Sequence, residues 1–184
     1  MSPFRYRVLM VDDDEVVCKV GAAVLQSQGY EVLCANDGFT GLAALKQSLP
    51  DVVISDLQMP KMGGFEFLSV VRKRFPQIPV IAISGEFTSH DVPESILADA
   101  FFQKGQYAPP ELFEKIASLL EGPIRARPEK PSKAAVWIPS ATGDNYIAVT
   151  CTDCLRTFPV SLPLAPGTHT VACDFCFSEV MFQI

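Results

Sequence analysis

Five polar residues in the first two thirds of the chain have the types that phosphoryl chemistry needs: Asp12, Asp13, Asp56, Ser84 and Lys104. Each closes or follows a short apolar run, at residues 8–11, 52–54, 80–83 and 100–102. If those runs are parallel strands of one sheet, their carboxyl ends share a rim and the five groups converge there. Three carboxylates in one pocket repel each other, so they stay ionised only beside a divalent cation and an ammonium. Mg2+ suits such a site because it is bound through one or two carboxylates plus water and substrate phosphate. With the metal neutralising a phosphoryl group, an adjacent carboxylate can attack phosphorus and form an aspartyl-phosphate. A hydroxyl and an ammonium opposite would hold the phosphoryl oxygens. The simpler alternative is that Asp12, Asp13 and Asp14 cap a helix. Capping accounts for Asp14 and one neighbour, but not for Asp56 or Lys104.

A second chemistry lies near the C-terminus. Cys151 and Cys154, then Cys173 and Cys176, form two Cys-x2-Cys pairs separated by eighteen residues, the spacing of a four-thiolate zinc site. A site closed by four protein ligands has no open position, so its expected role is structural. Iron held by four thiolates, redox cysteines and disulfides are the rivals. The segment resembles a zinc ribbon over residues 145–184, a size at which a domain needs a metal or disulfides to fold alone. Zinc binding supplies roughly 10 to 16 kcal/mol of apparent folding free energy in such units. Leu155 and Phe177 follow the two pairs, where the commonest ribbons carry glycine. Cys18 and Cys34 read as small core residues, and His90 and His169 as loop residues that the metal does not need.

The elements that must position these groups follow from hydrophobic spacing. Continuous apolar runs at 8–11, 52–54, 80–83 and 100–102, with 31–35 as a fifth, read as strands of a parallel sheet covered on both faces. Between them, Val16, Val20 and Val24, then Leu42 and Leu45, then Leu68, Val71 and Phe75, and finally Leu112, Ile116, Leu119 and Leu120 keep helical spacing. The fourth connection is less regular, with Pro93 acceptable in a first helical turn and Ile96 and Leu97 for an inner face. Alternating strands and helices over residues 5–121 predict a doubly wound α/β domain with a five-stranded parallel sheet. Pro123, Pro128, Pro131 and Pro139, interspersed with Arg125, Arg127, Lys130 and Lys133, mark 122–144 as an extended linker. Residues 145–184 predict a small β-rich unit with strands at 146–150 and 178–184.

At this point the motifs gain a family likeness. Val8-Leu9-Met10-Val11-Asp12-Asp13, Ser55-Asp56-Leu57-Gln58-Met59-Pro60-Lys61-Met62-Gly63-Gly64, Ala82-Ile83-Ser84-Gly85 and Phe101-Phe102-Gln103-Lys104 occur in order. Over residues 5–121 this resembles the receiver domain of bacterial response regulators, a flavodoxin-like fold. The resemblance implies that Asp56 accepts phosphate from a histidine kinase or phosphotransfer protein. It implies that Asp12, Asp13, Asp56 and the Gln58 carbonyl organise Mg2+, that Ser84 and Lys104 contact the phosphoryl group, and that Phe101 is an aromatic switch. Gln58 and Glu86 match positions that tune phosphoryl lifetime. The family usually has proline after the lysine, commonly cis, whereas Gly105 stands here; a cis bond before a non-proline costs roughly 3 to 4 kcal/mol, so a trans, reshaped loop is expected.

Composition bounds the partners. The 184 residues carry 15 Lys+Arg against 21 Asp+Glu, a net charge of −6, with 48% hydrophobic residues. That balance argues against non-specific attraction to nucleic acid or anionic membranes. Trp137, Tyr146, Phe158, Phe175, Phe177 and Phe182 are expected mostly to form the ribbon core. With neither a signal peptide nor an apolar span in view, a reducing cytoplasmic setting is expected. The expectation is a two-component signalling protein with Mg2+ in the receiver and structural Zn2+ in the ribbon. It acts on its own aspartate rather than as an enzyme on a separate substrate. The ribbon serves protein contact or positioning, and a homodimer on phosphorylation is one open outcome. The rivals are a DNA-binding transcriptional regulator using linker and ribbon, an electron-transfer module and a phosphatase with an aspartate nucleophile.

Overall fold

The computed structural model describes residues 6–86, 98–122, 136–137 and 146–184. Strands β1 (Arg7–Val11), β2 (Glu31–Ala35), β3 (Val52–Asp56), β4 (Val80–Ser84) and β5 (Ala100–Gln103) alternate with helices α1 (Glu15–Ser27), α2 (Gly38–Gln47), α3 (Gly64–Arg74) and α4 (Pro109–Glu121). The strands form one parallel sheet in the order β2-β1-β3-β4-β5. The chain reverses its direction of winding between β1 and β3, and ligands of such sheets bind outside the carboxyl ends there. The less regular fourth connection, with Pro93, Ile96 and Leu97, lies outside the described residues.

Period-two geometry explains how continuous apolar runs fill two cores. Val8, Ile54, Ile81 and Ile83 face one side, against Leu25 of α1 and Leu112 and Ile116 of α4. Leu9, Val11, Val53 and Ala82 face the other, against Leu42 and Leu45 of α2 and Phe67, Leu68 and Val71 of α3. Two details differ from expectation. Val16 and Val20 are 67% and 58% exposed; α1 meets the sheet through Cys18 and Leu25, with Gly21 against Met10. The valine stripe instead borders an apolar groove of about 350 Å3 that α1 shares with Tyr107, Pro109 and Leu112. Cys34 is exposed, because β2 is an edge strand; it shares the α1 face of the sheet with Val32, and its Sγ lies 3.6 Å from the Cys18 carbonyl.

The C-terminal strands are β6 (Val136–Trp137), β7 (Tyr146–Thr150), β8 (Thr157–Ser161), β9 (Thr168–Ala172) and β10 (Glu179–Gln183). β7 and β8 pair antiparallel; β10 lies between β9, antiparallel, and β6, parallel. Thus part of the span read as a linker supplies a strand, while Arg125, Arg127, Lys130 and Lys133 lie outside the described residues. His169 sits in β9 rather than in a loop, its ring stacked on Phe182 at 5.5 Å; His90 lies outside the described residues. Phe158 and Phe182 are core, but Tyr146, Phe175 and Phe177 are exposed, which corrects the expectation that most of these aromatics are buried. No helix among the described residues is long and apolar enough to cross a membrane.

The two modules share one core. Helix α3 turns Phe67, Leu68 and Val71 to the sheet, which leaves Glu66, Ser69, Val70 and Lys73 on the opposite stripe by helical period. Glu66, Ser69 and Val70 are nevertheless buried. The cover comes from the C-terminal module, whose Ile147, Val149, Phe158, Val180 and Phe182 join the receiver-side residues in one apolar cluster.

Candidate functional site

The five predicted polar groups meet at the carboxyl rim of the sheet. Asp12, just past β1, is buried; its Oδ1 accepts the Asp14 N–H at 3.0 Å and its Oδ2 lies 2.9 Å from Lys104 Nζ. Asp56 ends β3, is buried, accepts the Gln58 N–H on Oδ1 at 3.0 Å and holds Lys104 Nζ on Oδ2 at 2.5 Å. Asp13 is exposed, and one carboxylate oxygen from each of Asp12, Asp13 and Asp56 lies within 4.8 Å of the others. Capping falls to Asp14 alone, which accepts the N–H groups of Val16 and Val17 at 2.7 and 3.3 Å. The donor set, three carboxylates closing on one point, fits a hard divalent cation such as Mg2+.

Burial raises the Asp56 carboxyl above its usual range; the Lys104 ammonium and the Gln58 N–H pull it down, and Asp12 pushes it up. For Lys104, burial works against the charge, yet Asp56 and Asp12 together raise it above its ordinary value. Ser84 is buried at the end of β4, its Oγ accepting the Glu86 N–H at 3.3 Å, and its carbonyl accepts the Lys104 N–H at 2.8 Å. Phe101 is half-buried on β5 and packs with the α3 side of the sheet, whereas Phe102 faces the other side against Tyr107 at 4.9 Å. Gln58 is exposed two residues beyond Asp56.

Two glycines shape this rim. Gly105 takes φ +74 behind a trans Lys104–Gly105 bond, and the Gln106 N–H closes the turn onto Gln103 at 3.1 Å. The departure from proline therefore leaves Lys104 in reach of both aspartates, because glycine enters the left-handed region at little cost. Gly64 opens α3 so close to β3 that a Cβ there would lie 2.0 Å from the Asp56 carbonyl oxygen. A contact that the motif alone did not reveal braces the intervening loop: Lys61 Nζ bonds the buried Asp37 Oδ2 at 2.7 Å. Burial raises the Asp37 carboxyl, but the Lys61 and Thr40 bonds outweigh it and hold it low. Nothing local in the sequence around Lys61 identifies this partner 24 residues away.

The four thiols also converge. Cys151 and Cys176 Sγ are 3.6 Å apart, and Cys154 and Cys173 Sγ 3.7 Å, near the roughly 3.8 Å edge of a tetrahedron with metal–sulfur bonds of about 2.3 Å. Each pair sits in the same backbone knuckle. The N–H groups of Asp153 and Phe175 donate to Cys151 and Cys173 Sγ at 3.4 Å, and those of Leu155 and Phe177 bond the Cys151 and Cys173 carbonyls at 2.9 Å. Leu155 and Phe177 take φ 56 and 61, so the absent glycines are replaced by side chains held in the left-handed region. Burial pushes the Cys151 thiol up to about 12, while Ser178 draws exposed Cys176 down to about 6. A soft-tolerant cation would ionise all four, and the tetrahedral thiolate set fits zinc.

Between the two centres lies a group that sequence reasoning passed over. Glu66, in the first turn of α3, is 4% exposed, and its Oε1 has no hydrogen-bond partner. Burial pushes its pKa up to about 8, only partly opposed by a hydrogen bond with Thr150 of β7. Lys73, two turns further along the same stripe of α3, is lowered by burial while Asp153 and Cys151 act to raise it. An acidic residue in a helix's first turn reads from sequence as an ordinary solvated group; only the covering module makes it buried.

A doubly wound parallel sheet with an acidic triad and a lysine at its carboxyl rim is the layout of a receiver domain of two-component signalling. Residues 8–117 match the response regulator receiver domain, and the chain belongs to that family. Relatives include the sensor histidine kinase CheAY of Helicobacter pylori, 37% identical over 49% of this chain and 12% of that protein. Another is the transcriptional regulatory protein GlrR of Escherichia coli, 36% identical over 53% of this chain and 21% of that protein. The chain thus spans a minor part of the length of these curated relatives. A CheY-like receiver domain from Methanospirillum hungatei superposes with a TM-score of 0.58 at 30% identity, covering 64% of this chain and 94% of that one. Vibrio cholerae CheY4 does so with the same score and identity, over 63% and 99%.

Proposed function

We propose that this protein is a response regulator that receives a phosphoryl group on Asp56 in a Mg2+-dependent reaction, with a histidine kinase or phosphotransfer protein as donor. The observation that carries the reading is the buried Asp56 carboxylate within 4.8 Å of Asp12 and Asp13 oxygens and bonded to Lys104. Mg2+, when bound by Asp12, Asp13 and Asp56, supplies charge neutralisation for the incoming phosphoryl group. An Asp56 oxygen attacks phosphorus, the bond from phosphorus to the donor's leaving atom breaks, and the acyl phosphate forms. Lys104 then transfers its hydrogen bond from Asp56 Oδ2 to a phosphoryl oxygen, with the Ser84 hydroxyl beside it. Phe101 follows the displaced hydroxyl. The protein thus acts on itself, and its setting is the cytoplasm.

In the same reading, Cys151, Cys154, Cys173 and Cys176 hold a structural Zn2+, and the C-terminal module serves protein contact or positioning. Its seating on α3, the helix that starts at the phosphoacceptor loop, supports a positioning role. The alternative of DNA-binding output finds little support in a module whose residues 146–184 include Arg156 as their one Lys or Arg. Acetyl phosphate with Mg2+ should label the protein on Asp56. Labelling of an Asp56→Asn variant to the wild-type level, read by phosphate-affinity electrophoresis, would sink the proposal.

A further inference from the structure

The two metal knuckles have the same backbone but treat their last residue in opposite ways. Leu155 and Phe177 both follow the second cysteine of a pair, both donate an N–H to the first cysteine's carbonyl, and both take a left-handed φ. A bulky side chain pays a steric penalty there that glycine avoids. Leu155 recovers it by packing into the core at 7% exposure, whereas Phe177 is 81% exposed, the highest value among the exposed large apolar side chains of the described residues. Phe175, two residues earlier, is 48% exposed, and the Arg156 guanidinium lies over its ring at 5.1 Å. An unfavourable backbone thus holds Phe177 out in solvent, two residues from the half-exposed Phe175.

The surroundings identify the occupant. Asp174 lies between Cys173 and Phe175, Glu179 follows that knuckle, and Asp153 tips the other; all three are exposed. Four thiolates around a divalent ion add two further negative charges, against Arg156 as the one Lys or Arg of residues 146–184. This field repels phosphate backbones and anionic lipid, and a second copy of the chain at net −6 brings like charge. We propose that Phe175 and Phe177 form a docking surface for a partner protein segment that is basic and presents an apolar anchor to the two rings. The proposal deepens the protein-contact reading of this module and takes two of its negative charges from the zinc reading.

The test is a titration of the zinc-loaded full chain, 15N-labelled, with short synthetic peptides. One carries a central leucine flanked by lysines, a second the same leucine flanked by glutamates, and a third a central serine flanked by lysines. The first should shift the amides of 174–178 and bind at least about tenfold more tightly than the other two. The Phe177→Gly variant should melt at the same or a higher temperature, since glycine relieves the backbone, yet lose binding about tenfold or more. No shift at 174–178 with the first peptide, equal binding by Phe177→Gly, or preference for the glutamate flanks overturns the proposal. So does an oligonucleotide that shifts the same amides. Metal analysis separates the readings: one zinc per chain without peptide binding overturns the docking surface alone, and a chain without zinc that still binds through Phe177 overturns the zinc reading alone.

Discussion

Burial and counter-charge act against each other at Asp56, and burial wins: the carboxyl is raised despite a lysine at 2.5 Å. Lys104, bonded to both Asp12 and Asp56, is the counter-charge that works against that burial. Lys104→Met should destabilise the metal-free protein by about 2 kcal/mol near pH 7, less than a fully enclosed pair because Lys104 is partly exposed. The loss should shrink as pH falls and the Asp56 carboxyl, raised by burial, protonates. It should also shrink on adding Mg2+; denaturant melts across pH with and without the ion check both trends. Glu66 offers a separate pH signature. Its folded pKa, about 8, lies above the ordinary 4.5, so its contribution to stability is complete below the usual carboxylate range and is lost as pH rises through 8. Wild-type melting temperature should fall across that window, and Glu66→Gln should flatten the curve and melt several degrees higher at pH 8. An unchanged slope in the variant would show that Glu66 does not set it.

Helix α3 is the element on which both modules depend. Its N-terminus is pinned where Gly64 meets the Asp56 carbonyl, and its outer stripe lies under β6 and β7. Gly64→Ala forces a Cβ onto backbone that has no room to yield, so it should lower both stability and acetyl phosphate labelling. Labelling at the wild-type rate would mean that the loop tolerates the displacement. Val70 is wholly buried on the covered stripe. Val70→Asp should release the C-terminal module from α3 while the sheet stays folded, with hydrogen exchange accelerating along α3 but not along β3 or β4. The helix itself was legible from Leu68, Val71 and Phe75, because those residues repeat at helical spacing. Its second buried stripe was not legible, because Glu66, Ser69 and Lys73 are polar and read as solvated. The same limit explains α1, where Val16, Val20 and Val24 keep the right period on a face that the sheet does not use.

At the scale of the whole molecule, a shared core means that the four-cysteine module and the receiver domain are not independent beads. Chelating the metal under reducing conditions should unfold the small module first, since residues 145–184 cannot bury enough surface alone. The cover of α3 would go with it. The expected record is two calorimetric transitions in place of one and faster exchange at Val70 and Glu66. A metal-free protein that melts in one unchanged transition would show the thiolate cluster to be dispensable for folding.

The amino-acid sequence by itself determined the doubly wound sheet, the converging Asp12, Asp13, Asp56 and Lys104, and the two cysteine pairs. Strand runs, helix spacing and ligand spacing are local, and a parallel sheet brings its strand ends together whatever lies outside it. Only the tertiary structure decided that Gly105 leaves Lys104 in place, that Lys61 braces Asp37, and that α3 is buried on both sides with Glu66 between the modules. The physical reason is the same in each case: these are contacts between segments distant in the chain, and the side chains on either side carry no periodicity that marks the partner. The exposure of Phe177 belongs with them, since its strained backbone matches that of Leu155 and only packing tells the two apart.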